Sequence, residues 1–120
     1  MTTVLVIDDS PSEMAKFRDM LARHNFKVLE AMNGEQGCQM AADHLPDVIL
    51  MDIVMPEMNG FQATRKITRG KTTAHIPVIM ISTKNQETDK VWGKRQGAKE
   101  YMTKPINENE LVNIIQKVMG

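Results

Sequence analysis

Five short apolar runs recur along the chain, at Val4 to Ile7, Lys27 to Ala31, Val48 to Met51, Val78 to Ile81 and Ala98 to Thr103. They are rich in β-branched residues and are bounded by turn-forming or helix-starting residues, which marks them as strands. Between them lie longer segments whose apolar positions repeat at helical spacing. Strands of this kind alternating with helices predict a parallel sheet covered by helices on both faces, an α/β fold.

The helix starts are written in the polar residues. Ser10-Pro11-Ser12-Glu13 supplies a capping serine, a proline at the first helical position and a glutamate at the third, the pattern of a reciprocal capping box. Met14, Phe17 and Leu21 then form one apolar face. Asn33-Gly34 opens the second helix and Asn59-Gly60 marks the turn into the third. The last helix repeats the first: Asn107 caps, Glu110 stands at the third position, Ile106 staples onto Leu111, and Leu111, Ile115 and Val118 supply the buried stripe. The fourth segment, Gln86 to Gln96, is weakly amphipathic. Val91 and Trp92 sit among Thr88, Asp89, Lys90, Lys94 and Arg95, the pattern of a partly ordered or partner-facing element.

Composition narrows the class. A chain of 120 residues makes one domain, here residues 1–120 with no output domain. The apolar fraction of 42% and charged fraction of 25% are those of a globular protein, and no stretch reaches the ~20 apolar residues of a membrane span. No membrane insertion is expected. The apolar run at the N-terminus is too short for a signal peptide, and Cys38 is the only cysteine, so a cytoplasmic location is expected. Fifteen basic and fifteen acidic residues cancel, which argues against binding nucleic acid. Most of the eleven methionines are expected to fill core gaps, the alternative being an adaptable binding surface.

The candidate chemistry lies at strand ends. The first strand ends in Asp8-Asp9 and the third in Asp52. In an open α/β sheet ligands bind beyond the carboxyl ends of the strands, where the strand order reverses, so the three acids are expected to converge. Two charges about 4 Å apart repel by ~4 kcal/mol at an effective dielectric of 20, a cost that a cation must offset. Mg²⁺ suits such a site, because it binds through one or two carboxylates and a phosphate oxygen while keeping several waters. Lys104, before Pro105 at the end of the fifth run, and Ser82, ending the fourth, reach the same mouth as a cation and a hydroxyl donor for phosphoryl oxygens. Each of these residues alone also has a plain reading as a strand-end or helix-capping group.

Together, Asp8-Asp9, Asp52 in Met-Asp-Ile-Val-Met-Pro-Glu-Met-Asn-Gly, Ser82 and Lys104-Pro105 resemble the receiver domains of bacterial two-component response regulators over the whole chain. Phe61 to Arg65 and Lys84 to Gly97 look like PilH-type regulators of type IV pilus twitching motility. The resemblance implies a flavodoxin-like, doubly wound five-stranded sheet in the order 2-1-3-4-5. It implies that Asp52 accepts a phosphoryl group from a CheA-like histidine kinase. Mg²⁺ would be held by Asp9, Asp52 and the backbone carbonyl of Val54, with Asp8 acting through water. Lys104 and Ser82 would hold the phosphoryl oxygens, Ser82 and Tyr101 would act as the switch, and a cis Lys104–Pro105 bond is expected. The output would be a pilus or motility protein docking on the face made by the fourth helix, fifth strand and fifth helix.

Two departures bear on the lifetime of the phosphoryl group. Val54 cannot hydrogen-bond an attacking water, and Lys84 occupies the other position that tunes hydrolysis in this family; Thr83 stands where many members carry alanine. A second reading keeps the chemistry but makes the chain a phosphate sink or shuttle for the kinase. A third, a phosphohydrolase with a nucleophilic Asp like the haloacid-dehalogenase enzymes, is opposed by Val54, since those enzymes place a second Asp there. The chain is accordingly not expected to be an enzyme beyond its own phosphotransfer and dephosphorylation. No Gly-rich phosphate loop follows any strand, which disfavours nucleotide or flavin binding.

Overall fold

The computed structural model describes residues 1–120. Its elements alternate throughout: β1 (Thr3–Ile7), α1 (Pro11–Ala22), β2 (Lys27–Ala31), α2 (Gly34–His44), β3 (Val48–Asp52), α3 (Gly60–Thr68), β4 (Val78–Ser82), α4 (Glu87–Arg95), β5 (Glu100–Thr103) and α5 (Glu108–Met119). The strands are all parallel and lie in the order β2-β1-β3-β4-β5. Burial follows that order. Every residue of the inner strands β3 and β4 is buried, whereas β2 and β5, at the edges, carry Lys27, Glu30 and Glu100.

Because side chains alternate along a strand, the sheet divides the core in two. Val4 and Val6, Val48 and Leu50, Ile79 and Ile81 pack with Met14, Phe17 and Leu21 of α1 and Leu111 and Ile115 of α5. Leu5 and Ile7, Ile49 and Met51, Val78 and Met80 pack on the opposite face with Cys38 and Ala41 of α2 and Ala63 and Ile67 of α3. Of the methionines, Met14, Met51, Met55, Met80 and Met102 are buried and Met20, Met40 and Met58 pack against the core, so their main role is filling.

Local capping corrects one expectation. Ser10 accepts a hydrogen bond from the Glu13 amide, but the return bond from Glu13 is absent, because the Ser10 amide donates instead to Asp8 Oδ1 at 2.9 Å. The reciprocal box forms at α3, between Asn59 and Gln62. Asn107 caps α5 as expected, and Ile106 packs in the same cluster as Leu111. The fifth run begins in sequence at Ala98, yet the strand begins at Glu100. Gly97 has φ +104° and the Ala98 amide still donates to the Gly93 carbonyl, so those residues close α4 rather than extend β5. The fourth helix is fully formed, although Gly93 is its only buried residue. No helix is long and apolar enough to cross a membrane.

Candidate functional site

Parallel β1, β3 and β5 all end on the same side of the sheet, and this brings Asp8, Asp52 and Lys104 together. The nearest carboxylate oxygens of Asp8, Asp9 and Asp52 lie within 4.8 Å of one another. Lys104 Nζ donates to Asp8 Oδ2 at 3.3 Å and to Asp52 Oδ1 at 3.4 Å. Asp8 is fixed further by the Ser10 amide, so the start of α1 itself positions one acid. Asp9, next along the loop, is exposed. The Lys104–Pro105 bond is cis.

Three carboxylates and one ammonium leave an excess of negative charge in a partly dry mouth. Burial and the neighbouring Asp8 charge push Asp52 up to about 6, against a partial opposing pull from Lys104. Burial works against the Lys104 ammonium, but Asp52 and Asp8 outweigh it and its affinity for the proton rises. The donors present, hard carboxylate oxygens with residual negative charge, fit a hard divalent cation such as Mg²⁺. The Val54 carbonyl accepts no hydrogen bond from the protein, while the Val54 side chain is exposed.

The Asp52 shift predicts a pH signature. The folded value of about 6 lies above the ordinary 3.8, so the contribution to stability is present below pH 4 and is lost as pH rises through 6. Two units correspond to about 3 kcal/mol at most, and Asp52→Asn also removes one of the two partners of Lys104. Without divalent metal, Asp52→Asn is therefore expected to be more stable than the parent by about 1–2 kcal/mol at pH 8 and to lose that advantage near pH 4. Urea unfolding in a chelating buffer measures this; equal stability at pH 8 would show that Asp52 is not strained by its neighbours.

Ser82 is fully buried at the end of β4, where its Oγ accepts from the Lys84 amide at 3.2 Å. Its strand register places it opposite Thr103, one residue before Lys104, and the Lys104 amide donates to the Ser82 carbonyl at 2.8 Å. Tyr101 packs partly buried on the α4 side of the sheet, and its hydroxyl donates to the Lys84 carbonyl at 2.7 Å. That bond ties β5 to the loop entering α4. Thr83 is exposed beside Ser82.

Sequence reasoning missed a glycine beneath the site. A Cβ at Gly60 would stand 2.2 Å from the Asp52 carbonyl oxygen and 2.7 Å from Ile53 Cα, and the Gly60 amide donates to the Ile53 carbonyl. Gly60 thus lets the start of α3 close onto the segment that carries Asp52. Asn59-Gly60 shows in the sequence only as a turn; the close approach is set by tertiary packing.

Comparison with known proteins agrees with this geometry. Residues 4–116 match the response regulator receiver domain family. The chain is 55% identical to the protein PilH of Pseudomonas aeruginosa, an alignment that covers 100% of this chain and 99% of PilH. Among solved structures it is similar to the chemotaxis protein CheY4 of Vibrio cholerae, with a TM-score of 0.92, 30% identity and 98% of both chains covered. It is also similar to the receiver domain of a Pseudomonas aeruginosa sensor histidine kinase, which holds a magnesium ion in its active-site cleft. There the TM-score is 0.92 at 27% identity, with 99% of this chain and 98% of that one covered. With its strand order, its acidic mouth and its lysine at the end of β5, the chain belongs to the response regulator receiver domain family.

Proposed function

We propose that this protein is a stand-alone phosphoacceptor that takes a phosphoryl group on Asp52 from the phosphohistidine of a CheA-like histidine kinase, and that it works in type IV pilus twitching motility. The observation that carries the reading is the convergence of the three carboxylates with Lys104. Full-length similarity to PilH supports the pathway.

Asp9, Asp52 and the free carbonyl of Val54 are the groups that would hold Mg²⁺, with Asp8 acting through water; the ion would neutralise charge on the phosphoryl oxygens. The chain's own contribution is positioning. An Asp52 carboxylate oxygen forms the new O–P bond as the N–P bond to the kinase imidazole breaks, and the departing imidazole carries the bond's electrons and takes up a proton. Lys104, which already bonds Asp52, would pair with a phosphoryl oxygen, and the Ser82 hydroxyl, whose oxygen accepts from the Lys84 amide, would donate its proton to another. A movement of Ser82 toward the phosphoryl group would pull on Lys84, whose amide donates to Ser82 and whose carbonyl accepts from Tyr101, and this connects the site to the face made by α4, β5 and α5. Because none of these groups lines the largest surface depression, the site suits a donor presented by another protein.

Phosphotransfer from a radiolabelled CheA-like kinase tests the relay. Label is expected to pass to the parent protein in the presence of Mg²⁺ and not to Asp52→Asn. Retention of label on the kinase with both forms would reject the assignment. A sink is the second reading, favoured by the absence of any partner requirement in the transfer itself. It predicts that the protein loaded with a beryllofluoride phosphoryl mimic captures no target on the α4-β5-α5 face.

A further inference from the structure

The net charge of zero conceals a separation. Residues 60–99, which span α3 to the end of the α4 turn, contain nine Lys and Arg against two Asp and Glu. The remaining residues contain six against thirteen, so the two parts differ as +7 and −7. Ion pairs are distributed in the same uneven way. In the basic stretch only Lys90 has an acidic partner, Glu87 at 3.7 Å. In the acidic part Glu30 is held by Arg18, Glu108 by Arg23 and His24, Glu100 by Lys117, and Asp8 and Asp52 by Lys104.

Part of this unpaired positive charge borders a groove. Between α3 and α4 lies a depression of about 130 Å³ lined by Asn59, Phe61, Gln62, Arg65, Trp92 and Gln96. Trp92 is 48% exposed and the adjacent Val91 51%, an unusual cost on a helix whose only buried residue is Gly93. Arg65 and Arg69 follow Phe61 at intervals of four, and Arg95 follows Trp92 at an interval of three, so both apolar edges run into arginines. Attraction of cations to helix C-termini explains a basic bias in the last turns of α3 and α4. It explains neither the basic residues between and after the helices nor the exposed tryptophan.

We propose that this α3–α4 groove docks an acidic segment of a partner protein, which inserts one apolar side chain between Phe61 and Trp92 while its carboxylates meet Arg65 and Arg95. The surface lies beside, and is distinct from, the α4-β5-α5 face, and its use requires no phosphoryl group on Asp52. A concave site with an aromatic edge and a cationic rim is what such a segment recognises. Two exposed apolar residues on a nine-residue helix give too little area to lie in a bilayer. A lone exposed aromatic offers no succession of platforms for a single-stranded nucleic acid. Docking of a second copy through its own acidic residues is the competing outcome, and the test below separates the two.

Trp92 is the only tryptophan, so its emission reports on the groove directly. The probes are a synthetic Asp/Glu-rich peptide with one central Leu, the same peptide with Ser for Leu, a Lys-rich counterpart, a single-stranded oligothymidine and vesicles containing phosphatidylglycerol. The Leu peptide is expected to shift Trp92 emission to the blue and to move amide resonances of α3 and α4. Replacing Leu by Ser should weaken binding by about tenfold or more. The double variant Arg65→Glu/Arg95→Glu alters exposed side chains only, and circular dichroism verifies its fold. It should bind the acidic peptide about tenfold or more weakly and gain affinity for the Lys-rich one. The proposal is overturned by an unchanged Trp92 emission, by equal binding of the Leu and Ser peptides, or by resonance shifts confined to another face. Tighter binding of the oligonucleotide or the vesicles, or self-association that the double variant abolishes, overturns it equally.

Discussion

Lys104→Met is expected to destabilise the metal-free protein by about 3–5 kcal/mol at pH 8, the usual cost of removing one partner from a buried charge cluster. Methionine keeps the length and most of the apolar stem, so the loss is that of the ammonium. The side chains it would leave behind are 2% exposed at Asp8 and 10% at Asp52. Without the cation, Asp52 is driven above its present value of about 6. A raised carboxylate loses its stabilising contribution as pH rises, so the gap between variant and parent should widen from pH 5 to pH 8 and narrow again on acidification. Mg²⁺ supplies charge to the same oxygens and should close much of the gap. Urea unfolding at two pH values, with and without Mg²⁺, measures all three effects. A pH-independent loss that Mg²⁺ leaves untouched would mean that Lys104 acts by packing alone.

Gly60→Ala and Gly93→Ala are the same substitution at two helical positions, and they are expected to differ by about 3 kcal/mol or more. At Gly60 the added methyl meets backbone, the Asp52 carbonyl oxygen and Ile53 Cα, so the segment carrying the acid must move. At Gly93 the nearest atom is Met80 Sδ at 2.7 Å, part of a flexible thioether, and the next is a Tyr101 ring carbon at 3.4 Å. There the gain of up to ~1 kcal/mol in helix propensity offsets the adjustment, and stability should change little. Gly60→Ala should also weaken Mg²⁺ binding, which isothermal titration calorimetry reads independently of stability. If both variants unfold with the midpoint of the parent, the close contact beneath Asp52 is not a constraint.

The strands and most helix starts were legible because they depend on local chemistry: β-branched runs, Ser10, Asn33, Asn59 and Asn107 at helix entrances. The site was legible for a topological reason. In an all-parallel sheet every strand's carboxyl end faces the same side, so Asp8, Asp52, Ser82 and Lys104 need no long-range knowledge to be placed together. Features set by packing across elements were not. The Ser10 amide goes to Asp8 and leaves the α1 box half made, which depends on how the β1–α1 loop turns. Gly60 looks like a turn glycine until the Asp52 backbone is laid beside it. The α4 sequence is weakly amphipathic because its apolar residues do not face the core; the helix packs through Gly93 on Met80 and Tyr101, an approach with no hydrophobic signal in the sequence. Balanced totals of charge, likewise, hid the separation between residues 60–99 and the remainder.

Asp52, and no other acid of the cluster, is the proposed carrier of the phosphoryl group. Reaction with acetyl phosphate and Mg²⁺, followed by borohydride reduction and peptide mass spectrometry, tests it most directly, because reduction converts an aspartyl phosphate to homoserine at the position that bore it. Homoserine is expected at position 52, dependent on Mg²⁺ and absent from Asp52→Asn. Homoserine at position 8 or 9, or labelling that persists in Asp52→Asn at the level of the parent, would contradict it.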